Sequence, residues 1–260
     1  MEKNHQTTSR VLDILELLSN NNFQGLRFSE ISRALNMPKS SLHPLLQTLA
    51  ERKYVRFSEN TQKYYFGEML FHLGHTYVEN SSLLEQIEQI MTRLVNQCGV
   101  SSFFGVLSGS KVLYLLAKTA PGNIHIVATP GRKVYANGTG LGKSLLSGHT
   151  RAELEQLFPE GLPSITEKTI TDMDILYAQL EAVRRTGFSY EREESSAYTR
   201  CIAAPITYHG KVVASISASF LDVERSREEL NEIQESLKTA REEIEKVICN
   251  NISSWIYSEI

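Results

Sequence analysis

The stretch that most restricts the fold runs from Phe28 to Val55, where two short amphipathic segments meet across a turn of almost no length. In FSEISRALN, Ile31, Ala34 and Leu35 share a face and Ser29 can cap, so a short helix is expected. It has to stop at Asn36-Met37-Pro38. Asn36 suits a left-handed C-terminal residue, and Pro38 suits the first turn of a following helix, where its missing N–H would be unpaired anyway. That next helix, from about Pro38 to Arg52, turns Leu42, Leu45, Leu46 and Leu49 to one face and Lys39, Ser40, Ser41, His43 and Gln47 to another. Upstream, SRVLDILELLSNN (9–21) repeats apolar residues at helical spacing, with Thr8 or Ser9 as its N-cap. Downstream, two β-rich runs, Tyr54 to Phe57 and Lys63 to Phe66, flank the turn-like residues 58–62.

Helix, helix, tight turn, helix and hairpin is the order of a winged helix-turn-helix. A helix fits the major groove of DNA, its N-terminal polar side chains reach base edges, and the wing touches phosphates. Lys39, Ser40, Ser41, His43 and Gln47 are therefore the DNA-facing candidates. A small helical bundle that binds another protein is the competing reading; the tight turn followed by Lys-Ser-Ser weighs against it. Charge agrees with DNA. Residues 1–66 hold nine Lys or Arg against six Asp or Glu, a net of +3, and the remainder carries −6.

The composition, 41% hydrophobic and 22% charged, excludes a disordered or fibrous chain. No apolar run approaches the roughly 20 residues of a membrane span, and MEKNHQTTSR is too polar for a signal peptide, so a cytoplasmic protein is expected. Cys98, Cys201 and Cys249 are too dispersed for a disulfide framework or a zinc cluster, and no metal or cofactor is implied.

Beyond the hairpin, residues 68–80 and 82–97 read as two helices parted near Ser81-Ser82, the first a linker. Strands follow at Ser101 to Leu107, Lys111 to Ala117 and Ile124 to Thr129. Helices then start near Leu141, at Thr150 to Leu157 and at Asp172 to Thr186. Strands return at Phe188 to Glu191, Cys201 to Tyr208 and Lys211 to Phe220, and a long amphipathic helix begins near Arg225. Antiparallel strands with helices on one side make an α+β domain. The organisation expected is a head at 1–66, a linker helix at 67–80 and an effector-binding and oligomerisation domain at 81–260.

One motif resembles an enzyme's. ANGTGLGKS ends like a phosphate-binding P-loop, but the glycine required five positions before Gly142 is Asn137. Gly138, Gly140 and Gly142 still allow a close backbone approach to an anion, or simply a glycine-rich connection into a helix. The serines, Cys201 and Glu191 form a nucleophile and base only on paper, since none of the seven histidines sits in a motif that completes a triad. A hydrolase is the last of the alternatives, behind a small-molecule-binding protein-interaction module.

SEISRALNMPKSSLHPLLQTLAERKYV followed by YYFG resembles the N-terminal domain of the IclR family of bacterial transcriptional regulators. GTGLGKSLLS and GFSYEREESSAYTRCIAAPI are similar to two further blocks of that family, so the resemblance covers most of the chain. It implies a winged helix-turn-helix joined to a GAF-like effector domain, and a homo-oligomeric repressor, dimer or tetramer, bound to a palindromic operator. It implies an effector, a small organic, aromatic or sugar acid, held by Gly140, Leu141, Glu191, Cys201, Ser215 and Ser217. Cys201 has an alternative as a small buried apolar residue, and Glu191 as a solvated charge or a partner of Arg200. Three positions depart from the family: Pro44 in place of Arg, Asn137 in place of His and Tyr198 in place of Gly. A kink at Pro44 and a reshaped loop at Tyr198 are the expected consequences.

Overall fold

The computed structural model describes residues 5–19, 24–79, 82–121, 129–221 and 225–251. Two compact units divide the chain, residues 1–80 and 81–260.

In the first unit, α1 (Gln6–Ser19), α2 (Phe28–Ala34) and α3 (Lys39–Glu51) precede the antiparallel hairpin β1 (Val55–Ser58) and β2 (Lys63–Phe66), and α4 (Glu68–Glu79) closes it. Ile14, Leu18, Ile31, Met37, Leu42, Leu46 and Leu49, one stripe from each helix, form its core with Val55. A bridge from Leu26 to Tyr64 adds a third segment to the wing. The tight turn is built as expected at Asn36, whose φ of 45° is left-handed. Ser32 locks it: its backbone carbonyl accepts from Met37 N–H at 2.9 Å and its hydroxyl donates to the Met37 carbonyl at 2.7 Å.

Three helix starts differ from the sequence reading. α1 begins at Gln6, which puts Thr8 and Ser9 inside the helix rather than at its cap. α2 is capped two residues earlier than Ser29, at Arg27, because the Glu30 carboxylate accepts the Arg27 N–H at 2.7 Å. Pro38 occupies the N-cap of α3, one residue before the first turn, since its extended ψ of 140° carries the chain out of the preceding turn. α3 runs unbroken through Pro44.

The second unit opens with α5 (Ser82–Cys98), the hairpin β3 (Ser101–Ser108) and β4 (Lys111–Lys118), and the short β5 (Lys133–Tyr135). A 3-10 turn over Ala136–Gly138 leads into α6 (Gly140–Leu146), followed by α7 (Arg151–Leu157) and α8 (Met173–Thr186). Then come β6 (Ser189–Arg192), β7 (Thr199–Tyr208), β8 (Lys211–Leu221) and α9 (Arg227–Asn250). The six strands form one antiparallel sheet in the order β5-β4-β3-β8-β7-β6. The expected strand at 124–129 falls mostly outside the described residues, and Thr129 itself is not in a strand. β5 was not expected; three residues are too few to show a period.

Helices cover both faces of this sheet, not one. α5 and α9 bury Ile87, Met91, Leu237 and Ile244 against Phe104, Ile202 and Ile216. On the other face, α6, α7 and α8 bury Leu141, Leu145, Leu154 and Leu180 against Phe103, Val112 and Tyr114. Neighbours 103 and 104 point into different cores, as strand alternation requires. The sequence hides this because β7 reads as a near-continuous apolar run from Cys201 to Ile206, and the serines that alternate along β8 suggest a polar face although they too are buried.

Candidate functional site

In the first unit, the N-terminal half of α3 carries an exposed polar face. Lys39, Ser40, His43 and Gln47 are exposed, whereas Ser41 is half-buried. Gln47 donates to Glu51 at 3.0 Å and the His43 ring lies 6.4 Å from that of Phe28. Pro44 is exposed on the same face; its absent N–H leaves the Ser40 carbonyl without its helical donor, open to water. The wing presents Arg56, stacked 4.8 Å above the Tyr65 ring.

In the second unit, a cavity of about 320 Å³ opens between the start of α6 and the face of the sheet that α6 covers. Its floor is buried: Phe103 from β3, Tyr114 from β4, Cys201 from β7, Ser217 and Ser219 from β8, and Glu191 from β6. Gly140 and Leu141 close one side, and Ser195 and Thr199 another. Arg132 and Ser196 line the exposed mouth.

Five of the six expected effector residues meet here: Gly140, Leu141, Glu191, Cys201 and Ser217. Ser215 does not. It lies one step further along β8, and its buried hydroxyl donates to the Ala204 carbonyl at 3.0 Å. Ser219 takes the second serine's place, directly opposite Cys201 in the β7–β8 register. Alternation along a strand puts 215, 217 and 219 on one side but cannot say which two reach a cavity. The sequence reading also missed Tyr114, Arg132 and Thr199, which no motif marks.

Glu191 is a buried carboxylate. Its Oε1 accepts from the backbone N–H of Glu194 at 2.6 Å and of Ser195 at 3.0 Å. Burial pushes its pKa up to about 7, against the pull of those two donors; the Glu194 charge adds to the rise and Lys143 opposes it. Burial likewise pushes the Cys201 thiol up to about 12, reinforced by Glu191 and opposed by the Ser219 and Ser217 hydroxyls and the Leu141 N–H. Tyr114 is raised as well, first by burial. Ser217 faces the thiol without a well-formed hydrogen bond, so its buried hydroxyl is unpartnered.

The glycines in the first turn of α6 serve packing. A Cβ on Gly142 would lie 2.1 Å from the Ala136 carbonyl oxygen, and one on Gly140 would lie 2.7 Å from the Cys201 sulfur. Lys143 is buried, and its ammonium donates to Glu194 at 2.6 Å, Gln179 at 2.9 Å and the Tyr190 carbonyl at 3.2 Å. With three donors committed to three acceptors, this lysine has none left for a phosphate. Asn137 is buried outside the cavity and donates to the Pro163 and Ile170 carbonyls at 2.9 and 3.1 Å. Tyr198 keeps the backbone a glycine would take, with φ at 62°, so the loop holds its left-handed turn. Among the described residues, no His, Cys, Asp and Glu cluster could hold a metal ion, and no helix is long and apolar enough to cross a membrane.

A winged helix-turn-helix joined to a unit that encloses a small polar cavity defines a ligand-responsive, DNA-binding transcriptional regulator. Residues 7–59 match the IclR helix-turn-helix domain, and residues 75–246 match the C-terminal domain of bacterial IclR transcriptional regulators. The chain belongs to the IclR family. It is 31% identical over 237 residues to the HTH-type transcriptional regulator BhcR of Paracoccus denitrificans, covering 90% of this chain and 84% of that one. Its fold is similar to that of an IclR transcriptional regulator from Alicyclobacillus acidocaldarius, with a TM-score of 0.84 at 19% identity, over 94% and 99% of the two chains. An IclR homologue from Microbacterium hydrocarbonoxydans, crystallised with 4-hydroxybenzoate, shares the fold with a TM-score of 0.80 at 21% identity, over 94% and 100%.

Proposed function

We propose that the chain is a cytoplasmic, homo-oligomeric repressor that binds a palindromic operator and changes its operator affinity when a small organic acid occupies the cavity. Residues 1–66 act as the DNA-binding head, 67–80 as a linker helix that spaces two heads, and 81–260 as the effector and oligomerisation domain. Lys39, Ser40, His43 and Gln47 reach the DNA with the half-buried Ser41, and Gly140, Leu141, Glu191, Cys201 and Ser217 contact the acid. One head offers too little surface for a specific site, whereas two heads read half-sites about one turn apart.

The observation that carries this reading is the cavity, whose floor holds a buried carboxylate and a buried, unpartnered hydroxyl. The carboxylate is held by the Glu194 and Ser195 N–H groups, whereas the hydroxyl is costly to bury until a partner completes it. Binding rather than catalysis is the function of this cluster. A thiol pushed up to about 12 is not a thiolate at neutral pH, and among the described residues no histidine lines the cavity to serve as its base.

The test is binding to the DNA upstream of the chain's own gene, against unrelated DNA of equal length, at several salt concentrations and with a panel of organic acids. Discriminating binding that one acid alters is the expected result. Binding that ignores sequence at every salt, with every acid, overturns the proposal in favour of a protein-interaction module.

A further inference from the structure

The lysine of the GLGKS run, which binds no phosphate, is left with a different use. All seven residues of α6 are buried, so a cation on this helix cannot reach water and must find acceptors inside the protein. Lys143 follows Leu141 by two residues, roughly 200° further round the helix, and its side chain runs behind the cavity without lining it. There the ammonium meets three elements other than its own: Glu194 in the loop between β6 and β7, Gln179 on α8 and the Tyr190 carbonyl on β6.

These contacts join two walls of one cavity. α6 supplies the Gly140 and Leu141 wall, and the loop 193–198 supplies Ser195 and Ser196 of the facing one. That loop is strained, since Glu193 and Tyr198 hold left-handed backbone, with φ of 59° and 62°, without being glycine. Glu191 accepts the N–H groups of Glu194 and Ser195, but it belongs to the strand from which the loop departs. Thr166 and Thr169 donate to the Glu193 and Glu194 carbonyls, and Lys168 pairs with Glu193, all from the irregular segment between α7 and α8. Lys143 instead stands on a helix docked against β7 and β8. Its hold is on the Glu194 side chain, whose Oε1 accepts from the ammonium at 2.6 Å while Oε2 is buried with no hydrogen-bond partner. A buried carboxylate stripped of its cation is strongly disfavoured, so without Lys143 the Glu194 side chain would turn to water and draw Ser195 and Ser196 away from the cavity.

We infer that Lys143 is a positioning residue of this cavity: through Glu194 it sets how far the loop wall stands from the α6 wall, and so the width open to an acid. The inference rests on the reading of the cavity as the effector site. The lysine itself does not touch the acid.

Three variants of the full chain test it: Lys143→Met, Glu194→Ala and the two combined. Amide exchange of the 193–199 segment, which needs no ligand, should quicken about tenfold in each, the loss of one hydrogen bond to a charged group. The double variant should exchange no faster than either single one, because both act through one contact. Stability should follow a different order. Lys143→Met leaves a buried carboxylate unpaired and should lower the unfolding midpoint by about 10 °C, whereas the double variant buries neither charge and should recover about half of that. Calorimetric titration with acetate, succinate, gluconate and benzoate should show the affinity of whichever binds the wild type falling about tenfold in all three variants, the double included. Unchanged exchange in Lys143→Met, accelerations that multiply in the double variant, or an acid affinity that returns with its stability would each overturn the inference. If none of the four acids binds the wild type, the effector reading falls and the inference with it; the exchange rates tell that failure from a wall that Lys143 does not hold.

Discussion

At the scale of single residues, two side chains are held where their chemistry is unfavourable, and each gives a measurable consequence. Glu191 is 4% exposed and raised to about 7 from an ordinary 4.5, so the folded protein binds its proton more readily than the unfolded chain does. Stability from this group is therefore greatest below about 4.5, falls as pH climbs towards 7 and is level above it. Glu194, Lys143, Tyr114 and Cys201 surround it, and among these only Lys143 favours its ionised form. Between pH 5 and pH 8 the wild type should lose about 2 to 3 kcal/mol more than Glu191→Gln, which has nothing to ionise there. Denaturant unfolding of both proteins across that range measures it, and parallel curves would show that the carboxylate is not perturbed. Tyr198 is the second case. Its side chain is 74% exposed, so little packing holds it in the left-handed region, a conformation that only glycine adopts without cost. Tyr198→Gly should raise stability by about 0.5 to 1 kcal/mol, seen as a higher unfolding midpoint, because the left-handed cost relieved, about 1 to 2 kcal/mol, exceeds the extra freedom of glycine in the unfolded chain; an unchanged or lower midpoint would show that the turn carries no strain.

At the scale of elements, α3 shows how far sequence alone reaches. Its length, its buried leucines and its exposed polar residues were legible because a 3.6-residue period sorts side chains whatever they pack against. Its start was misplaced by one residue, since proline is compatible with both the N-cap and the first turn and only the backbone ψ separates the two. In the second unit the strands of the central hairpins were legible from their turns; His209 and Gly210, both with positive φ, mark one of them. The two-sided burial of the sheet was not, because it depends on where α6 to α8 dock. Nor was the presence of Arg132 and Ser219 in the cavity lining, which comes from pairing between segments distant in sequence. Pro44 was legible as an anomaly but not in its effect. A proline within a helix costs up to about 3 kcal/mol, and α3 reduces that by placing the orphaned Ser40 carbonyl on its exposed face. Pro44→Ala restores the N–H without filling space and should stabilise the first unit by about 1 to 2 kcal/mol. Amide exchange of the α3 core residues would report the change; slower exchange at Leu46 and Leu49 is expected, and unaltered exchange would mean that the helix had already absorbed the cost.

At the scale of the whole molecule, the proposed DNA contacts and the proposed acid contacts lie on separate compact units, so their energetic effects should separate as well. Regulation requires the acid to bind the DNA-competent and DNA-incompetent states unequally, and linkage then makes the effect mutual. If saturating acid weakens operator binding by some factor, saturating operator weakens acid binding by that same factor. Ser217→Ala removes an unpartnered hydroxyl from the cavity floor without altering the first unit. It should move the acid concentration that half-releases the operator upwards by about tenfold, the loss of one ligand hydrogen bond, yet leave both the acid-free affinity and the fully released affinity unchanged. Lys39→Ala should do the converse. It should weaken binding to all DNA sequences and reduce the salt slope by about one, while the ratio between acid-free and acid-saturated affinities stays fixed. Titrations of the wild type and the two variants with operator and with unrelated DNA, across acid and salt concentrations, measure these quantities. A plateau that moved with Ser217→Ala would mean that the serine acts on the balance between the two states and not on the ligand alone. A ratio that moved with Lys39→Ala would mean that the head itself, and not only its spacing, differs between those states.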